Sequence, residues 1–150
     1  MIRSCIILLI SFNLFPLFAQ IKVADVGDGW KNKVDSAILI IKKYDQEKYN
    51  VLLETCHNIG YWNGDFSTTE GDSMITIAVN DIKSSNIYNI AAILVHESIH
   101  LYIKQLYFKL DTNKEESLCY RYELNFLMKV PEVDSWLISN AVKMIEYYEK

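Results

Sequence analysis

The chain predicts one small α+β domain, richer in helix than in strand. Three observations carry this. Apolar residues recur at helical spacing over most of the length, and only one segment alternates cleanly in the manner of a strand. A chain of 150 residues, 51% of them hydrophobic, supplies matter for one core and not for two. No internal repeat or low-complexity stretch is visible, and 5 Gly and 2 Pro leave few breaks between elements.

The first residues read as an export signal and not as part of the domain. Arg3 gives a short basic start, Cys5 to Phe18 form an apolar run rich in Ile, Leu and Phe, and Ala19 places a small residue before polar Gln20. The expectation is a signal peptide over residues 1–19 and a domain over 20–150. The product is then secreted or periplasmic, with no stable membrane insertion after cleavage. A retained N-terminal anchor is the alternative, but the run is short of the ~20 apolar residues of a comfortable span.

The elements then follow in order. Val34, Ile38, Ile41 and Tyr44 recur at helical spacing and predict a helix over Trp30 to Tyr44. Tyr49, Leu52, Leu53 and Cys56 predict a second from Glu47 to His57. Ile59 to Trp62 is a short strand candidate, followed by a polar turn from Asn63 to Asp72. Met74 to Asn80 is β-branched and alternating, the clearest strand. A helix opening at Ser85 or Asn86, both good N-cap types, runs through Ile90, Ile93, Leu94 and Ile99 towards Phe108. Thr112 and Glu115 fit a capping box for the next, which continues to about Met128. Pro131 suits the first turn of a final helix reaching Tyr148. The predicted order is α-α-β-β-α-α-α.

Charge excludes one class of partner. The chain carries 15 basic and 19 acidic residues, and loss of Arg3 with the leader makes the remainder one charge more negative than −4. An acidic chain whose basic residues are scattered singly or in pairs is a poor nucleic-acid binder. Cys5 also leaves with the leader. Cys56 and Cys119 remain, either as one disulfide in an oxidising compartment or as two small buried thiols.

The chemistry concentrates in His96-Glu97-Ser98-Ile99-His100, in the middle of the strongest predicted helix. Residues four apart share a helix face, so both imidazoles reach one cation from rigid backbone. Zinc accepts imidazole nitrogen, and its catalytic sites use three protein ligands with an open position. Glu97 lies close to the same face, where its carboxylate would hold a water and take its proton. The third ligand must come from elsewhere. Glu116 and Glu115 open the next helix, and Glu116 heads an inward stripe of Glu116, Cys119, Tyr120, Glu123 and Leu127. Glu116 is therefore the preferred ligand, Glu115 being accounted for by the capping box.

The His-Glu-x-x-His motif followed by a helical Glu115-Glu116-x-x-Cys119-Tyr120 resembles the gluzincin branch of zinc metallopeptidases. More narrowly it resembles single-domain minigluzincins and small bacterial secreted proteins with the same two-helix signature, over residues 74–127. The resemblance implies a zincin-like domain, a short antiparallel sheet packed on the motif helix, and a peptide or protein substrate. It implies that Met74 to Asn80 edges the cleft and pairs with an extended peptide. It also implies that Tyr120, four after the glutamate ligand, supports a zinc-bound histidine. With no histidine downstream of the motif, a tyrosine must stabilise an oxyanion, and Tyr120 or Tyr122 is nearest.

The implied function is zinc-dependent peptide hydrolysis, with His96, His100 and Glu116 as metal ligands and Glu97 and Tyr120 as catalytic residues. A zinc-binding secreted interaction module without efficient turnover is the alternative, and a metal-free helical domain a third reading. Blander roles fall to His57, a capping or surface imidazole, to Trp30, Trp62 and Trp136, core or rim aromatics, and to Tyr147 and Tyr148, helix packing.

Overall fold

The computed structural model describes residues 20–27, 29–84 and 86–150, so the leader expected over 1–19 and the alternative N-cap Ser85 lie outside the described residues. The chain is α+β. Its order is β1 (Lys22–Val23), α1 (Trp30–Tyr44), α2 (Gln46–Thr55), β2 (Asn58–Trp62), β3 (Thr68–Glu70), β4 (Met74–Ala78), α3 (Val79–Ser84), α4 (Ile87–Gln105), α5 (Thr112–Leu127) and α6 (Ser135–Tyr148). Among these residues no helix is long and apolar enough to cross a membrane.

α4 is the central element. Eleven of its residues are buried, from Ile90 to Ile103, because it packs on α1 and α2, on α5, and against β3 and β4. A helix apolar nearly all round has to be enclosed on most sides. Asn86 caps its start, the side-chain oxygen accepting from the Asn89 amide at 3.0 Å. Val34, Ile41, Leu52, Ile59, Ile75, Leu94, Leu101 and Phe126 form one continuous core around it. Trp30 joins that core, its indole nitrogen donating to the Ala24 carbonyl at 2.6 Å, whereas Trp136 is a rim residue. Cys56 and Cys119 are buried free thiols, and His57 is exposed at the start of β2.

The sheet departs from the expected antiparallel arrangement. Its order is β1-β2-β4-β3, with β1–β2 and β2–β4 parallel and only β3–β4 antiparallel. The chain leaves β2, overshoots, and returns as β3 on the outside of β4. A tight turn at Gly71, whose φ is +58°, then delivers β4 back alongside β2. β3 lies inside the segment expected as a polar turn: Thr68 and Thr69 are half-buried and Glu70 is exposed, so no apolar alternation marks them. β4 is consequently an interior strand, and the edge role passes to β3.

Two helix starts also differ. α5 is capped by Asp111, whose carboxylate accepts from the Asn113 amide at 3.1 Å, so Thr112 is its first residue and no capping box forms. Asp111→Ala should cost about 1 kcal/mol in urea unfolding and Thr112→Ala much less; the reverse order would restore the capping box. α6 begins at Ser135 and not at Pro131, which sits in the preceding turn. There Asp134 spends its carboxylate on the Asn86 side chain and so ties the starts of α4 and α6 together.

Candidate metal centre and cleft

α4 and α5 pack side by side, and the helical pitch brings the chosen residues together. His96 and His100, one turn apart on α4, direct their Nε2 atoms at each other across 3.3 Å. Glu116 on α5 closes the group, with carboxylate oxygens 3.5 Å from His96 Nε2 and 3.6 Å from His100 Nε2. Two nitrogens bound tetrahedrally to zinc at ~2.0–2.1 Å would stand about 3.3 Å apart, so the spacing fits such an ion.

The far side of each imidazole is held by a carboxylate. His96 Nδ1 lies 3.1 Å from Glu123 Oε2, and His100 Nδ1 lies 2.7 Å from Glu115 Oε1. A carboxylate accepts only, so Nδ1 is the donor in each pair, and in a metal-binding form each Nε2 would offer its lone pair. Three acceptors then converge: two imidazole nitrogens and the Glu116 carboxylate. Such a group is stable only around a proton or a metal ion. Burial opposes a charge on His96, but the carboxylates of Glu116 and Glu123 outweigh it and raise its pKa to about 9. The His96 contact lowers the pKa of Glu116 against the opposing effect of burial. In the ion's absence a proton fills the gap, and metal uptake would release it.

These contacts correct two expectations. Glu115 forms no cap, and its carboxylate orients His100. The support expected for His96 from Tyr120 comes from Glu123, seven residues after Glu116 and on the same face of α5. Tyr120 instead sets its ring edge-on to His96, with centroids 4.4 Å apart. Tyr122 faces away, its ring under the Lys48 ammonium at 4.0 Å, and takes no part. Glu123→Ala and Glu115→Ala should each weaken metal binding about 10- to 100-fold, as loss of a partner that orients a metal-bound histidine does elsewhere. Competitive titration against a chromogenic chelator reads this out.

Cys119 lies close by. One ligand atom each from His96, His100 and Cys119 fall within 4.8 Å of one another. The thiol is fully buried beneath the site, and burial together with the carboxylates of Glu116, Glu115, Glu97 and Glu123 raises its pKa. A protonated thiol is a poor ligand.

Above the three donors opens a cleft of about 390 Å³. Its floor is His96, Glu97, His100 and Glu116, one wall is Tyr120 with Tyr148, and the other is Phe66 with β3. Tyr148 reaches it from the last turn of α6 and stacks on Tyr120 at 6.0 Å and 18°. Sequence reading assigned Tyr148 only to packing, since nothing in a tyrosine at the end of a helix marks a cleft. β3 is held over α4 by Lys104 Nζ donating to Thr69 Oγ1 at 2.7 Å and by Gln105 Nε2 donating to the Asp72 carbonyl at 2.9 Å. Glu97 is 7% exposed and borders the cleft, and burial raises its pKa, partly offset by His96 and His100. Burial likewise raises the pKa of Tyr120, which keeps its phenol proton.

No protein-family model, curated protein or solved structure matches the chain.

Proposed function

We propose that the protein is a zinc-dependent peptidase of the zincin type, exported, acting on peptides or proteins. The observation that carries this is the convergence of two imidazole Nε2 atoms and one carboxylate within 3.6 Å, beside a buried glutamate and under an open cleft. Two nitrogens and one oxygen are a donor set that suits zinc, and three protein ligands leave a position open.

His96, His100 and Glu116 would hold the ion, which supplies Lewis acidity, acidifying water towards a pKa of ~7 and polarising a scissile carbonyl. Glu97 takes a proton from water as its oxygen adds to the carbonyl carbon. It returns that proton to the amide nitrogen as the C–N bond breaks. The raised pKa of Glu97 suits both halves of the task, because the base must become an acid within one turnover. Tyr120, and beside it Tyr148, offer phenolic O–H groups to the oxyanion. The outer edge of β3 carries backbone groups that an extended peptide can pair with.

The nearness of Cys119 favours a second reading, a closed zinc site in an interaction module. Metal content by mass spectrometry together with cleavage of a mixed peptide library separates the two. One bound zinc with cleavage supports the peptidase; one bound zinc without cleavage supports the module; a chain that binds no zinc removes both.

A further inference from the structure

A second hollow of about 230 Å³ adjoins the metal cleft and shares Phe66, Ser67, His96, Glu97 and Tyr120 with it. Its other walls bring Asp65 from the β2–β3 connection, Asp81 from α3, Asn140 from α6, and Asn89 and Ile93 from α4. Among the described residues no lysine or arginine lines it. The acids in it are unequally occupied. Glu123 is matched by His96, and Asp81 accepts a neutral hydroxyl from Ser67 at 2.8 Å. Asp65 is exposed at the mouth. Glu97 stands on the boundary between the two hollows, more than nine-tenths buried, with its carboxylate in no hydrogen bond or ion pair to a described residue. The hollow is therefore negative, polar at its rim and apolar along Phe66, Ile93 and Tyr120, and it opens onto the reacting centre.

We propose that this hollow is the specificity subsite for a basic side chain, lysine or arginine, of a peptide lying in the metal cleft. The proposal rests on the peptidase reading and names its substrate class. A lysine or arginine has an apolar stem for the Phe66, Ile93 and Tyr120 walls and a cationic head for Asp65 and Asp81. The Asn140 side chain borders the same rim. A net charge of −4 on the chain draws a basic peptide in the same direction.

The test uses peptide pairs identical except for lysine or norleucine at one position, moved stepwise along the sequence. Cleavage by the zinc-loaded protein is measured as kcat/KM, and binding to the zinc-loaded Glu97→Gln protein by fluorescence anisotropy. Lysine should be preferred about 2- to 5-fold at one position, as for a largely exposed ion pair, and the preference should shrink with added salt. The lysine-to-norleucine ratio should fall towards one in Asp65→Asn/Asp81→Asn. If that double variant does not fold, Asp65→Asn alone, altering an exposed side chain, should still lower the ratio. Equal cleavage of both peptides at every position overturns the subsite and leaves the peptidase standing. Selective binding of lysine peptides without cleavage by the wild type supports the subsite and sinks the peptidase. Equal binding, or none, with no cleavage overturns both.

Discussion

Glu97→Gln should lose about 10²- to 10⁴-fold in peptide turnover, the range a positioned general base contributes. It should keep its zinc. The carboxylate borders the cleft but makes none of the contacts that join the imidazoles to Glu116, so replacing it with an amide of the same shape leaves the donors untouched. Initial rates on a cleaved peptide and metal content on the same sample check both halves. A variant within a few-fold of wild type would remove Glu97 from the chemistry. A variant that lost its metal would make Glu97 part of the binding group instead.

Glu116→Ala should weaken zinc binding about 10²- to 10³-fold, an even ligand share of the ~10–16 kcal/mol that structural zinc sites yield. Cys119→Ser should change it far less. The two residues are three apart on α5 and face the same pair of imidazoles, so the comparison asks which donor the ion takes. The carboxylate is half-buried and held as an anion by His96, whereas burial, and after it four nearby carboxylates, keeps the proton on the thiol. Cobalt substitution gives an independent readout, because a thiolate ligand produces an intense near-ultraviolet charge-transfer band and carboxylate does not. If Cys119→Ser lost the metal and that band, the site would be a closed one and the interaction-module reading would take over.

The helices were legible because each has to bury a stripe, and the stripe is written at fixed spacing. α1 matches its prediction end to end, and the meeting of His96, His100 and Glu116 followed from the pitch of α4 and from the apolar company Glu116 keeps on α5. What was missed has particular causes. β1 is two residues long and β3 three, too short for any period, and β3 is polar because it lies at an edge. Parallel pairing of β2 with β4 depends on where the intervening segment goes, which no local pattern records. Glu123 did leave a signal: it interrupts the same inward stripe as Cys119 and Leu127, and a carboxylate buried to that degree requires a partner. Tyr148, Asp65 and Asp81 left none, since each reaches the site from a different element, brought there only by the finished fold.

The apolar core wraps α4 on the faces its histidines do not use, and it closes without any help from His96, His100 or Glu116. The carboxylates of Glu115 and Glu123 also fix both imidazole rings from behind. Chelation should therefore empty the protein without melting it, in contrast to zinc fingers, which unravel when stripped. Far-ultraviolet dichroism would persist, the melting temperature would drop only by the mass-action contribution of a saturating ligand, and re-supplied ion would restore the original state.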